Sequence, residues 1–306
     1  MVKPLIVAMG LFLAASVASA QEKDPGFWTY WGDGNAELTG YQLTYPRYGQ
    51  LRHGTAVSIF VTEDFSTSRR VKVEKGQVPD TDILPVLKQN LVKDFQTGIY
   101  DYNLMTQSFA ATQAVDSRPA GALVKSVFSA QEWCGNVYHE TIYGASQMER
   151  QYRSYFSGET KPPYRSEYPA DAVIEEQVPT LVRELFGRRL AAGESMTVPY
   201  LPSAERARLS HKEMAWTTAK ITHVKGRKRV KTPAGLYISE QWTIEPKGWP
   251  TMNYFLDYQY PRTIVKWEGE DGEVALMTGT ARLPYWKMHD EGDEKMLEKI
   301  GLGKSE

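Results

Sequence analysis

The sequence predicts a mainly β protein: a curved antiparallel sheet forming an open barrel or a sandwich, with one or two short helices in the region of residues 170–192. Three observations carry this reading. Aromatic residues are abundant, with 18 Tyr, 8 Trp and 10 Phe, and such side chains favour the half-buried surface of a pleated sheet. Apolar and polar residues alternate with period two along most of the chain, which is the strand periodicity. Turn residues such as Gly76, Gly98, Gly226 and Gly272 interrupt the alternating runs, and many short strands at roughly 8–12-residue spacing indicate a meander.

Taken in order, residues 1–20 read as a Sec-type signal peptide: Lys3, an apolar run from Leu5 to Ala15, then Ala18-Ser19-Ala20 as a cleavage signal. The run is too short to span a bilayer, and no cysteine follows the cleavage signal to take a lipid. A periplasmic location, or secretion, is therefore expected, without stable membrane insertion. Residues 21–160 form an N-terminal antiparallel region, with strands expected at 37–45, 55–62, 69–73, 87–95, 100–109, 123–133, 137–143 and 147–156. Residues 161–288 add a helix and strands at 196–200, 213–224, 236–244, 251–258, 263–268 and 274–283, continuing the same fold. The Pro-rich piece at 158–171 marks the boundary between the two regions. Within 170–192, Leu181, Leu185, Phe186 and Leu190 make an apolar stripe and Gly193 a stop, as in a helix that closes one side of an open sheet. Residues 289–306 form a charged tail, a loose terminal helix or a disordered end.

Composition excludes several functions. Charge is nearly balanced, 36 Lys plus Arg against 37 Asp plus Glu, so no nucleic-acid partner is expected. The basic run at 223–231 reads as a solvated loop between two strands. A single cysteine cannot form an internal disulfide. His53, His139, His211, His223 and His289 show no metal-ligand spacing, and neither a Gly-x-Ser-x-Gly elbow nor a glycine-rich phosphate loop occurs. No cofactor, metal or catalytic set is implied.

The stretch "QEWCGNVYHE", 131–140, concentrates reactive residue types. With Gly135-Asn136 as a two-residue turn, Cys134 faces Val137 and Glu132 faces His139 across a hairpin, while Trp133 and Tyr138 lie on the other face. The thiol and the imidazole then stand one cross-strand step apart, and no helix start activates the cysteine. The stretch is a ligand-binding candidate rather than a catalytic one. Glu132, Trp133, Tyr138 and His139, joined by Trp242 and Trp267 as aromatic wall residues, make up the candidate site.

Two blocks carry a resemblance. "FWTYWGDGNAELTGYQLTYPRYGQ", "DFQTGIYDYNLMT" and "SAQEWCGNVYHE" resemble a group of uncharacterised exported bacterial proteins, some of them labelled septum formation inhibitor Maf. That label does not suit the residues: the closest string, Ser66-Thr67-Ser68-Arg69-Arg70, is one residue short of the Maf S-x-S-x-R-R loop and precedes a strand-like run. The later block, "LVRELFGRRLAAGES", "VKTPAGLYISEQWTIE" and "YQYPRTIVKWEGEDGEVALMTGTARL", resembles a periplasmic domain of unknown function. The resemblance implies an open β-barrel of the lipoprotein-carrier kind and no activity. The expected function is a non-catalytic envelope protein that binds a lipid or other amphiphilic ligand, or a partner, on its curved sheet. A carboxylate-dependent hydrolase of glycans and a structural or interaction module are the alternatives.

Overall fold

A computed structural model describes residues 26–187 and 190–303, so the segment read as a signal peptide lies outside the described residues. The strands are β1 (Ala36–Arg47), β2 (Gln50–Ser66), β3 (Val71–Lys72), β4 (Ile83–Thr97), β5 (Tyr100–Ala111), β6 (Leu123–Glu132), β7 (Gly135–Tyr143), β8 (Gln147–Ser154) and β9 (Lys161–Glu167). They continue as β10 (Val173–Ile174), β11 (Ser195–Leu201), β12 (Thr217–His223), β13 (Lys228–Thr232), β14 (Gly235–Pro246), β15 (Met252–Asp257), β16 (Ile264–Gly269) and β17 (Val274–Leu283).

All belong to one sheet. Pairing runs β9-β8-β7-β6-β5-β4-β2-β1-β17-β16-β15-β14-β12-β11-β10, with β3 beside the end of β2 and β13 beside the start of β14. Only β10 and β11 run parallel. The chain thus makes one meander outward from β1 and a second that returns to it, and the β1–β17 pair is the seam between them. Neither β9 nor β10 pairs with the other, so the sheet stays open there.

Five residues separate those two edges, and Arg118 holds that crossing. Its guanidinium donates to the carbonyls of Ala145, Tyr168, Pro169 and Ala170 and lies over the Tyr168 ring. Prolines 162 and 163 fall in β9, which is an edge strand, where a missing N–H does least harm. The Pro-rich piece read as a boundary is in part this strand.

Inward positions carry the main core, which includes a ladder of stacked rings across three strands. Tyr45 of β1 lies on Phe95 of β4 (centroids 4.8 Å apart, 18° between planes), and Phe95 lies on Tyr102 of β5 (5.2 Å, 5°). A second cluster, containing Phe27, Trp31, Phe60 and Phe186, is organised around the short helix α1 (Phe27–Trp31), which periodicity does not reveal.

The one or two short helices expected in 170–192 are a 3-10 turn (Glu175–Gln177) and α2 (Val178–Val182), while two other expectations change. Glu184 and Gly187 adopt left-handed backbone just beyond it, at φ 52° and 99°, which ends any continuous helix. The apolar stripe is nonetheless buried, because Leu181, Leu185, Phe186 and Leu190 all enter the two clusters. The tail is also ordered through residue 303: a 3-10 segment, Asp293–Ile300, lies back on the seam. Gly40 and Gly279 face each other across β1 and β17, and a Cβ on either would strike the Ile300 main chain. The Thr278 hydroxyl donates to the Ile300 carbonyl at 2.6 Å.

The second change concerns the 131–140 hairpin. Its turn residues are Trp133 and Cys134, so Glu132 pairs with Gly135 and Phe128 with His139. Gly135 is required for a different reason: the Tyr155 ring packs over it, leaving a Cβ only 2.6 Å from that ring. A register displaced by four residues, an even number, preserves which side chains share a face. Glu132 and His139 both point inward, although they are not opposed.

Candidate functional site

The segment between β11 and β12 decides the interior. Pro202 stops β11, and Ser203 then caps helix α3 (Ala204–Leu209), its side chain accepting from the Arg206 N–H. Carboxyls from the preceding 3-10 turn take the neighbouring donors, Glu175 from the Ser203 N–H and Glu176 from the Ala204 N–H. Ala204, Ala207, Arg208 and His211 line one cavity, while Glu205, Arg206 and Leu209 line another. These two sets occupy opposite faces by helical spacing. Helix α3 is therefore a septum inside the open barrel.

The first cavity, about 300 Å³, is acidic. Lys93 of β4 donates to Glu205 of α3 at 2.7 Å and to Glu273, just before β17, at 2.9 Å. Glu205 also accepts from the Tyr45 hydroxyl (2.9 Å) and from Thr106 (3.2 Å), and Glu273 from the Trp267 indole (2.8 Å). Arg206 joins Glu175 at 2.8 Å and Asp271 at 3.1 Å. Burial works against the Lys93 charge, but the two carboxylates overcome it and hold the pKa above that of an ordinary lysine. Glu273 is held low against its burial by Lys93 and Arg206.

Glu176 differs. Burial, assisted by the charges of Glu175 and Glu205, pushes its pKa up to about 8, and its Oε2 has no hydrogen-bond partner.

The second cavity is larger, about 530 Å³. It is walled by His139 of β7, Arg150 and Tyr152 of β8, Phe156 and Glu159 in the following turn, Tyr164 of β9, and α3 with residues 211–214. Arg150 is 5% exposed; one Nη donates to the Met214 carbonyl (3.0 Å), and its Nε donates to nothing. Arg208 is 8% exposed and lies 4.7 Å above the Phe156 ring. Glu159 and Glu132 stand 3.5 and 3.7 Å from Arg208, yet neither its Nε nor its Nη1 makes a hydrogen bond. His139 is packed edge-on to Tyr152 (5.3 Å, 85°), and burial together with the Arg150 charge lowers its pKa to about 3.

The six residues singled out in the sequence are not brought together. His139 lines the second cavity and Trp267 the first, and Glu132 is buried against Arg208 without lining either. Trp133 sits exposed at the hairpin tip, its indole donating to Asp101. Tyr138 faces outward and donates to Glu140. Trp242 is a core residue stacked on His223 (4.5 Å, 13°).

Sequence reasoning missed Lys93, Arg150, Glu176, Glu205, Arg208 and Glu273. Two signals were readable: Ser203 ahead of a helix-permissive "AERARL", and a lysine between Leu91 and Phe95 on the apolar face of a strand. Among the described residues, no group of three or more His, Cys, Asp or Glu is arranged to hold a metal ion, and no helix is long and apolar enough to cross a membrane.

Two of these groups make opposite contributions to stability as pH changes. His139 stays neutral in the fold down to about 3, whereas its ordinary value is 6.5, so its contribution is lost as pH falls through that window. Glu176 keeps its proton up to about 8 against an ordinary 4.5, so its contribution is lost as pH rises between those values. Glu176→Gln is expected to gain on the wild type between about pH 5 and 8, by on the order of 4 kcal/mol at most. Urea unfolding across that range checks it; parallel declines in the two proteins would exclude Glu176 as the source.

The fold is mainly β, one large sheet that does not close, with few short helices. No family model and no curated protein matches the chain. Among solved structures it is similar to a β-barrel-like protein of the domain of unknown function DUF1849 from Brucella abortus, with 8% identity and a TM-score of 0.47 over 81% of this chain and 98% of that one. It is also similar to a DUF1089 family protein from Pseudomonas aeruginosa, with 13% identity and a TM-score of 0.34 over 59% of this chain and 82% of that one.

Proposed function

We propose that the protein is a non-catalytic binding protein of the cell envelope that shelters a small amphiphilic ligand inside its open barrel. The observation that carries this reading is the cavity of about 530 Å³ between α3 and strands β7–β9, whose wall combines Tyr152, Phe156, Tyr164 and Met214 with polar groups that lack partners. Ligand pockets typically occupy about 300–1,000 Å³ and pair an apolar wall with a few convergent polar groups. The leader-like residues 1–20 support an envelope location.

The arrangement of the acidic cavity supports a structural role there rather than hydrolysis. Glu205 and Glu273 share Lys93 and accept from Tyr45, Thr106 and Trp267, which uses their lone pairs in holding α3 to the sheet.

Protein isolated from the envelope of its native host and unfolded in organic solvent is expected to release one small amphiphile in near-stoichiometric amount by mass spectrometry. Adding it back at about a hundred times its Kd should stabilise the stripped protein by about 2.7 kcal/mol. Repeated recovery of nothing above background, with no stabilisation by a panel of amphiphiles, would overturn the reading.

A further inference from the structure

We infer that the second cavity grips an anionic head group, a carboxylate or phosphate oxyanion on an apolar chain, between the guanidinium groups of Arg150 and Arg208. This inference rests on the binding function proposed above. Arg150, Lys161, Arg208 and Lys212 line the cavity against only Glu159 and Glu213. Lys161 and Glu213 pair with each other at 3.9 Å, and Arg208 has Glu159 and Glu132 nearby. Arg150 has no carboxylate within ion-pair distance among the described residues. It is 95% buried, its one hydrogen bond goes to a backbone carbonyl, and its Nε donates to nothing.

A buried, uncompensated charge is costly to a fold. Burial normally requires every guanidinium N–H to find an acceptor. Here the two arginines that carry unsatisfied donors, Nε of Arg150 and Nε and Nη1 of Arg208, both line one cavity. The group that would satisfy several guanidinium donors at once is an oxyanion, which accepts charge-assisted bonds from planar forks. His139 does not compete for it, because its imidazole stays uncharged. The rings of Tyr152, Phe156 and Tyr164 leave apolar wall for the chain attached to that head. Glu132 stands 3.7 Å from one Nη of Arg208 and Glu159 3.5 Å from its Nε, which holds the guanidinium in place.

Isothermal titration with stripped protein, below micelle formation, tests the assignment with dodecanoate, dodecyl phosphate, dodecanol, dodecyltrimethylammonium and inorganic phosphate. The two anionic amphiphiles are expected to bind at least about tenfold more tightly than dodecanol and the cationic one. Arg150→Met should lose that preference, with the affinity for the two anionic amphiphiles falling by about tenfold toward that for dodecanol. It should also unfold in urea no earlier than the wild type, because an unpaired buried charge has been removed. Arg208→Lys, which keeps the charge beside Glu132, provides a second folded variant and should reduce the anion preference in part.

Dodecanol binding as tightly as dodecanoate would overturn the anionic head while leaving the binding function standing. Failure of every amphiphile to bind would overturn both. Phosphate competing with dodecanoate, with the same dependence on Arg150, would support the oxyanion grip and show that the head alone suffices.

Discussion

Arg183→Met is expected to destabilise the protein by about 3–5 kcal/mol, the range for removing one partner of a fully buried ion pair. Arg183 and Glu37 are each 1% exposed and form a two-pronged bond at 2.8 and 2.9 Å. Glu37 accepts a third bond from Tyr30, and the Arg183 guanidinium lies 4.6 Å from the Phe60 ring. Without Arg183, the Glu37 carboxylate would remain in the core with a phenol as its partner. The pair joins the end of α2 to the first residues of β1, so its loss should loosen the whole 173–190 connection. The double variant Arg183→Met with Glu37→Met should recover most of the loss, because no lone charge is then buried. Urea unfolding of the wild type, single and double variants closes the cycle, and a single-variant loss below about 1 kcal/mol would contradict the account.

Lys93→Met is expected to have an effect of similar size with a different pH signature. Removing the ammonium leaves Glu205 and Glu273 facing the acidic cavity without their shared cation. In the wild type Glu273 has a lowered pKa, so its contribution is present above the ordinary carboxylate range and lost as pH falls through its folded value. In the variant, burial should prevail and raise that pKa, so stability should fall as pH rises. The deficit is therefore expected to be small at about pH 4 and to reach about 3–5 kcal/mol at about pH 7. Adding Glu205→Gln and Glu273→Gln should flatten the pH dependence. A deficit independent of pH would mean that the lysine acts mainly through packing of its aliphatic stem.

The fold was legible because the signal behind it is local. Alternation in "LVKDFQT" or "YISEQWTI" specifies which residues face inward without reference to partners elsewhere in the chain. The site was not legible because it is assembled at long range: Lys93 reaches Glu205 across 112 positions and Glu273 across 180. Helix α3 has six residues, too few for periodicity to announce it, and only its Ser203 cap marks it locally. The 131–140 hairpin shows the complementary failure. Gly135-Asn136 has the composition of a turn, yet the glycine is there to admit Tyr155, a contact that no local pattern encodes. His139 was identified as a binding candidate, but the arginines that give its surroundings their character come from β8 and α3.

The β1–β17 seam has a consequence for the order of events in folding. Residues 36–44 find their partners at 274–283, so the sheet cannot be joined across its middle until these two distant segments have met. Until then the β1 edge stands open, and closing so long a loop is slow compared with forming the hairpins on either side. The facing glycines at 40 and 279 receive Ile300 only once both halves have met, so the 3-10 segment Asp293–Ile300 acts as a latch. A sheet built this way is fastened at its centre by the strands that lie farthest apart in sequence.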